Sequence, residues 1–562
     1  MYTEDQKLYV AHCDEGPIYL TAGMANRHGL IAGATGTGKT VSLQVLAETF
    51  SQAGVPCFMA DMKGDLSGIS QTGAMSSFIE KRCPEFGIEN PQFAGCPTRF
   101  FDVFGEMGHC MRTTISAMGP QLLARILELN EVQSGVLNIV FRIADDNNLL
   151  LIDIKDLRMM LDFVSKTASE YTTTYGNIST ASVGAIQRAI LTLEDQGGDK
   201  FFGEPAFSVE DLLAVEDGKG VMNVLAADKL MLQPKLYSTF LFWLLTELYT
   251  TLPEVGDLDK PKLVFFFDEA HTLFTDTPKA LTQKIEQVVR LIRSKGVGVY
   301  FVTQSPTDIP EEILGQLGNR IQHALRAFTP KDQKAVRTAA ETFRENPAFN
   351  TADAIMELST GEALVSFLDE KGAPSVVQRA KILFPLSSIG AISEGQRLDI
   401  NKKAPQNIQN YDSYFDRESA YEVLTEQYEA AEKAAQKAIE QEEKEAEKAK
   451  KAAEKEKAKK GKSSGIKRTI FGTMIGAAAT SFARSLATQA AKNITGTAKK
   501  ASSTAKKSTS TAKKSTSTAK KSTSTKSTVA KKASSAVKKA ADTATKTAVR
   551  KVTNEILKGL LK

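Results

Sequence analysis

Two groups of residues in this 562-residue chain have the types and spacing that phosphate chemistry needs. The first is Gly33-Ala34-Thr35-Gly36-Thr37-Gly38-Lys39-Thr40, a complete G-x-x-x-x-G-K-S/T loop. Its glycines let the backbone curl so that N–H groups point inward at phosphate oxygens. Lys39 would reach the β- and γ-phosphates of a nucleoside triphosphate, and the Thr40 hydroxyl would ligate Mg²⁺. The second group closes the run Lys-Leu-Val-Phe-Phe-Phe-Asp-Glu-Ala-His, residues 262–271, in which apolar residues feed two adjacent carboxylates. Asp268 is suited to holding Mg²⁺ and Glu269 to polarising an attacking water. Thr303-Gln304 ends a third apolar run, where a polar side chain can sense the γ-phosphate. Asp61, in Asp-Met-Lys-Gly-Asp-Leu with Asp65 close by, either supports the metal indirectly or caps a turn.

These residues need elements to hold them. An apolar run from His28 to Ala32 leads into the glycine loop, and a helical pattern (Val41, Leu43, Val45, Leu46) leads out of it. The helix so placed adds its positive N-terminal end to the phosphate site. Further strand-like runs cover 55–61, 221–227, 262–268, 297–304, 321–328 and 362–368. Several are continuously apolar, as expected of strands covered on both faces. Helical segments between them predict an α/β fold with a mainly parallel sheet. From Met118 to about Leu252 the apolar spacing is helical (Leu122, Leu123, Ile126, Leu127; Leu157, Leu161, Val164), which predicts a helical insertion over 118–252.

The expected organisation is an ATPase domain over 1–400, a linker and charged helix over 401–465, and a Gly/Ala-rich amphipathic segment over 466–495. A Lys/Ser/Thr/Ala repeat tail over 496–548 and an amphipathic helix over 549–562 follow. Asn401 to Asn410 reads as polar linker. Asp416 to Lys460 is rich in Ala, Glu and Lys with acid–base pairs four apart, the pattern of a long solvated helix. Its apolar positions hold no a/d register, so a strict coiled coil is the weaker reading. Lys-Lys pairs recur every seven residues from 499–500 to 520–521 and again at 531–532 and 538–539. A segment with so little to bury is expected to be disordered.

The net charge of +5 averages two unlike parts. Residues 496–562 carry 17 lysines and one arginine against two acids, and the remainder is acidic, with 53 basic against 64 acidic side chains. A basic tail on an acidic body points to a polyanionic partner, DNA being the leading one. The five cysteines form no C-x-x-C pair, which argues against a disulfide framework or zinc site. Met1 to Val10 lacks a secretory pattern, and the apolar stretches 236–252 and 469–483 are short for a membrane span. A cytoplasmic protein without a membrane span is expected.

Taken together, the phosphate loop, Asp61 with Gly64-Asp65, Asp268-Glu269 and Thr303-Gln304-Ser305-Pro306 resemble the HerA–FtsK superfamily of ring-forming P-loop ATPases. More narrowly, residues 1 to about 390 resemble bacterial HerA-like proteins of the YjgR type, most closely over 143–156, 292–304 and 316–329. The resemblance implies a RecA-like P-loop core, ATP and Mg²⁺ as cofactors, ATP hydrolysis, a homo-hexamer and a motor acting on DNA as helicase or translocase. It also implies an arginine given to the neighbouring subunit's site. Arg326 matches the family arginine that follows the sensor strand, with Arg320 and Arg27 as further candidates. HerA proper has an N-terminal β-barrel, which is not expected ahead of this phosphate loop. Two other readings remain open: a protein-directed, secretion-type ATPase, and a nucleotide-controlled DNA-tethering or nucleoid protein.

Overall fold

The structure, a computed structural model, describes residues 7–274 and 279–460. The segments expected over 466–495, 496–548 and 549–562 lie outside the described residues. The chain divides into two compact units, Met1–Val423 and Leu424–Lys562.

Fourteen strands are formed by the described residues of the first unit: β1 (Lys7–Cys13), β2 (Gly16–Thr21), β3 (Gly29–Ala32), β4 (Cys57–Asp61), β5 (Thr98–Asp102), β6 (His109–Cys110), β7 (Val215–Glu216), β8 (Lys219–Gly220), β9 (Met222–Ala226), β10 (Leu263–Phe267), β11 (Val297–Thr303), β12 (Asn319–Gln322), β13 (Glu362–Ser366) and β14 (Gln378–Ile382). All but the β7–β8 hairpin join one sheet of order β2-β1-β14-β13-β12-β3-β11-β10-β4-β9-β5-β6. From β12 to β6 every neighbouring pair is parallel. From β12 outward to β2 every pair is antiparallel.

The parallel half explains its own sequence. Every residue of β4, β10 and β11 is buried, because helices cover both faces of a parallel sheet and leave no solvated side to alternate toward. Phe58 stacks on Phe265 at 4.7 Å and Phe267 on Phe301 at 5.6 Å, so adjacent strands lock through their rings. Of the antiparallel half only β13 was foreseen, within the run 362–368, because β1, β2 and β14 are mixed in polarity.

The span 118–252, read as a helical insertion, encloses the strand-like run expected at 221–227, which joins the main sheet. It holds helices Glu131–Asp146, Ile154–Tyr175, Thr180–Leu193 and Pro234–Thr251, but also β9, which sits between β4 and β5 in the main sheet. Pro234–Thr251 is buried along most of its length around Trp243, Phe240 and Phe201. It is a core helix, and among the described residues no helix is long and apolar enough to cross a membrane.

The stretch 401–410 is not an extended linker, since it carries helices Glu394–Lys403 and Gln406–Gln409. Residues beyond it are tied to the same unit. Asp412 accepts from His109 at 2.9 Å, Tyr411 donates to Asp211 at 2.6 Å, and Asp416 pairs with Lys155 at 2.9 Å. A buried Ser419 hydroxyl donates to Asp156 within hydrogen-bond distance. These scattered polar contacts hold 411–422 in place without an apolar run that sequence could reveal. The helix Ala420–Lys460 follows, with i,i+4 pairs Lys433–Glu429, Lys444–Glu440 and Lys451–Glu447 on its surface.

Candidate functional site

The central strands β3, β11, β10 and β4 lie side by side and in parallel, so their C-terminal ends form one edge. That edge collects Gly33–Thr40 after β3, Thr303-Gln304 at the end of β11, Asp268-Glu269 after β10 and Asp61–Asp65 at the end of β4. Ligand sites of open α/β sheets form at such an edge.

The phosphate loop is built by glycine. Gly33, Gly36 and Gly38 have φ of 156°, 77° and 114°. A Cβ on Gly33 would come within 2.5 Å of the Cβ of His323, so this position admits no side chain. The loop is pinned at both flanks: Gly33 N–H donates to the Thr303 carbonyl (3.2 Å) and Ala34 N–H to the Ala324 carbonyl (2.8 Å). Thr37 donates its hydroxyl back to the Ala34 carbonyl at 2.7 Å, closing the turn. The helix α1 (Lys39–Gln52) begins directly after it, with no side chain capping its first N–H groups. Those donors face the loop and suit an anion. Lys39 Nζ rests on the Ala34 carbonyl at 3.0 Å. Burial pushes its ammonium pKa down, while Glu269 and Asp268 oppose this.

Glu269 is the most constrained side chain of the edge. It is buried, with a left-handed backbone (φ 47°), a strained state for a non-glycine residue. Its Oε1 pairs with Lys63, and its Oε2 lies 3.4 Å from Gln304 Nε2 and 3.4 Å from His271 Nδ1. Burial alone would raise this carboxyl, but Lys63 and Gln304 outweigh it and hold the group below the usual carboxylate range. Lys63 was not singled out in the sequence. It lies two residues after the noted Asp61, and only the pairing of β4 with β10 brings it to Glu269.

Asp268 and Asp61 behave in the opposite way. Burial, with Glu269 beside it, pushes Asp268 up to about 6. Burial, with Asp65 beside it, pushes Asp61 up to about 7, although it accepts from the N–H groups of Gly64 (2.7 Å) and Lys63 (3.3 Å). Asp61 thus caps its own turn, one of the two readings expected of it. Two raised carboxyls, Asp61 and Asp268, at one edge describe a place that would welcome positive charge.

The donor set fits Mg²⁺. The Thr40 hydroxyl carries no hydrogen bond among the described residues, and one Asp268 oxygen is taken only by the Glu269 N–H (3.0 Å). Asp65 Oδ1 is buried without a hydrogen-bond partner among the described residues. These are hard oxygens, and no three carboxylate, histidine or cysteine side chains among the described residues converge into a full cage. Mg²⁺ is usually held this way, by one or two protein oxygens with water and substrate phosphate completing the shell.

His323, also missed from the sequence, braces the loop from behind. It is fully buried, its Nδ1 facing the Glu362 carbonyl at 2.9 Å and its Nε2 facing Ser42 Oγ at 2.7 Å. A carbonyl can only accept, so Nδ1 carries the proton and Nε2 accepts from Ser42. Burial pushes its pKa down to about 4.

The arginines separate. Arg326 is exposed beyond β12, and among the described residues it hydrogen-bonds only the Met356 carbonyl at 3.3 Å. Arg320 points away from the loop and donates to the carbonyls of Leu317, Thr342 and Leu314 at 3.0–3.1 Å. It sits at the N-terminal end of β12, opposite the phosphate edge, and serves the fold there. The run 321–328, expected as one strand, leaves the sheet after Gln322, which is why Arg326 reaches solvent. Thr303 donates to Asp308 at 2.9 Å, leaving Gln304 as the polar group directed at Glu269.

A nucleotide-phosphate loop on a RecA-like sheet, with an acid pair one strand beyond the strand adjacent to it, defines a P-loop NTPase. A family model described as Helicase HerA-like C-terminal matches residues 6–499, and the chain belongs to this family within the HerA–FtsK superfamily. The DNA double-strand break repair helicase HerA of Sulfolobus acidocaldarius is 34% identical over 99 residues, covering 17% of this chain and 19% of that protein. A probable helicase of Methanocaldococcus jannaschii is 32% identical over 113 residues, 20% of each chain. The matches thus span about a fifth of the length of these curated relatives. Among solved structures, the bacterial conjugative coupling protein TrwB aligns with a TM-score of 0.45 at 14% identity, over 67% of this chain and 89% of that one.

Proposed function

We propose that this chain is an Mg²⁺-dependent ATPase that works as a ring-shaped motor on DNA, a helicase or translocase, in the cytoplasm. The observation that carries the ATPase reading is Glu269. It is an ionised carboxylate held by Lys63 and Gln304 at the edge that carries the phosphate loop. A nucleotide-binding switch without turnover has no use for a water-polarising base kept ionised in a buried place.

The geometry supports the following roles. Lys39 leaves the Ala34 carbonyl for the β- and γ-phosphates, and the N–H groups of the loop and α1 surround them. Thr40 and Asp268 would hold Mg²⁺, which would offset phosphate charge when bound. Glu269 orients a water toward the γ-phosphorus and accepts its proton at a carboxylate oxygen as the bond to the ADP oxygen breaks. Gln304, touching both Glu269 and the end of the strand beside β3, is placed to register the γ-phosphate. Arg326, exposed and nearly unpartnered, is the arginine offered to a neighbouring subunit.

DNA as the substrate is supported by the family's helicase description, by relatives named as DNA repair helicases, and by the lysine-rich sequence of 496–548. The deciding experiment measures ATP turnover with and without double-stranded DNA. It uses the full chain and a chain ending at Lys460, since residues 411–422 belong to the compact unit. DNA stimulation of both supports a DNA motor. Stimulation of the full chain alone supports tethering through the tail, and stimulation of neither supports a protein-directed motor. Lys39→Ala should abolish nucleotide binding or turnover, and Glu269→Gln should bind ATP but not hydrolyse it. Wild-type turnover in Glu269→Gln would remove the catalytic assignment.

A further inference from the structure

A cavity of about 440 Å³ opens at the end of the sheet away from the phosphate loop. It sits where β12 begins, at residues 315–320, beside the entry to β3 and the turn between β13 and β14. The four residues of β3 separate it from Gly33, roughly 13 Å of extended chain. Four arginines line it, Arg27, Arg290, Arg293 and Arg320, and no acidic side chain does.

The partners of these arginines show what the cavity lacks. Arg290 is paired with Glu286 at 2.6 Å, and Arg293 lies 3.6 Å from the highly exposed Asp257. Arg320 is satisfied by three carbonyls, which orient its guanidinium but bring no negative charge. Arg27 is half-buried and has neither an ion pair nor a hydrogen bond among the described residues. Two of the four charges therefore have no carboxylate, in a concave place where an unpaired charge is costly. The wall leaves Arg27 room: a Cβ on Gly372, whose φ is 78°, would come within 3.0 Å of its Nη1.

Guanidinium groups present planar forks of N–H donors that match phosphate oxygens, and they stay charged at every relevant pH. We propose that this cavity is a second anion site, separate from the phosphate loop, that takes phosphate groups through Arg27 and Arg293. The Arg27 guanidinium has no partner among the described residues, and the one carboxylate of Arg293, Asp257, lies out in solvent, while Arg320 is already held by carbonyls. The source is either the backbone of a nucleic-acid strand or a free polyphosphate. Both share the chemistry, and the volume exceeds what one phosphate fills.

The test reads binding without turnover, in Mg²⁺-free buffer, so its failure leaves the ATPase reading standing. Full-length wild type, Arg27→Gln, Arg27→Gln/Arg293→Gln and Arg27→Lys are titrated with a fluorescein-labelled single-stranded 20-mer over several salt concentrations. Inorganic pyrophosphate is titrated calorimetrically against the same set carrying Lys39→Ala, which weakens the phosphate loop. If the source is a strand, the double variant binds the 20-mer about tenfold or more weakly, and each lost contact lowers the log–log salt slope by about 0.7. If the source is free polyphosphate, pyrophosphate binding drops and 20-mer binding does not. Arg27→Lys keeps the charge but loses the fork, and is expected between wild type and Arg27→Gln. Unchanged binding of both probes in the double variant overturns the proposal. So does a fall in melting temperature for Arg27→Gln, which would mean that Arg27 serves the fold rather than a ligand.

Discussion

Lowering the pH should loosen the phosphate loop through His323, because this imidazole is buried neutral. Its pKa lies near 4 in the folded chain against about 6.5 when exposed, with burial the main cause. Between these values the unfolded chain binds a proton that the folded one refuses, so stability rises with pH across this window. The shift corresponds to about 3 kcal/mol in full, of which about 2 kcal/mol is lost between pH 7 and pH 5. Nothing comparable is expected between pH 7 and pH 9, where His323 is neutral in both states. His28 has the same character: it is buried, with its pKa down to about 4, and its Nδ1 accepts from the Val299 N–H at 3.0 Å. Replacing His323 by Asn keeps a donor toward the Glu362 carbonyl and removes both the titration and the acceptor for Ser42. The assay is urea unfolding of wild type and His323→Asn at pH 5, 6, 7 and 8. The variant should be less stable at pH 7, and the gap should narrow by about 2 kcal/mol at pH 5, with the His28 share and the opposing shares of Asp61 and Asp268 remaining in the slope of both proteins. Nucleotide affinity of wild type should fall over the same range more steeply than that of the variant. A stability gap independent of pH would refute the assignment of His323 as a buried neutral brace.

Three further outcomes follow from the same structure. Arg326→Ala should keep nucleotide affinity and lower kcat by about 10³–10⁵, and doping it into wild type should lower activity more than in proportion; a linear loss would point to a monomeric enzyme or another arginine. Deleting residues 496–548 should weaken duplex binding alike for unrelated sequences and flatten its salt dependence, by about 0.9 in log–log slope for each lost phosphate contact; an unchanged slope would dismiss the tail as a DNA contact. Gly29→Ala should destabilise by about 1–3 kcal/mol in chemical unfolding, since its Cβ would fall 2.4 Å from the Tyr300 ring and 2.9 Å from the Asn319 carbonyl; wild-type stability would contradict the close packing of β3 between β11 and β12.

The chemistry that sequence alone determined is local. Backbone N–H groups, a lysine and a hydroxyl must follow one another at fixed spacing to surround a phosphate, so residues 33–40 are legible without a fold. The apolar run before Asp268-Glu269 is legible because a strand covered on both faces must be apolar throughout. What only the tertiary structure decided is non-local. Lys63 reaches Glu269 because β4 pairs with β10, and His323 reaches Ser42 because β12 lies beside β3. Arg320 and Arg326, six residues apart, separate because β12 ends at Gln322: the first is turned into carbonyls at one end of the sheet and the second is released to solvent at the other. The clamp on 411–422 and the cavity of four arginines rest on the same reason. Single polar or charged side chains far apart in sequence leave no periodic signal, and only the strand order brings them within reach of one another.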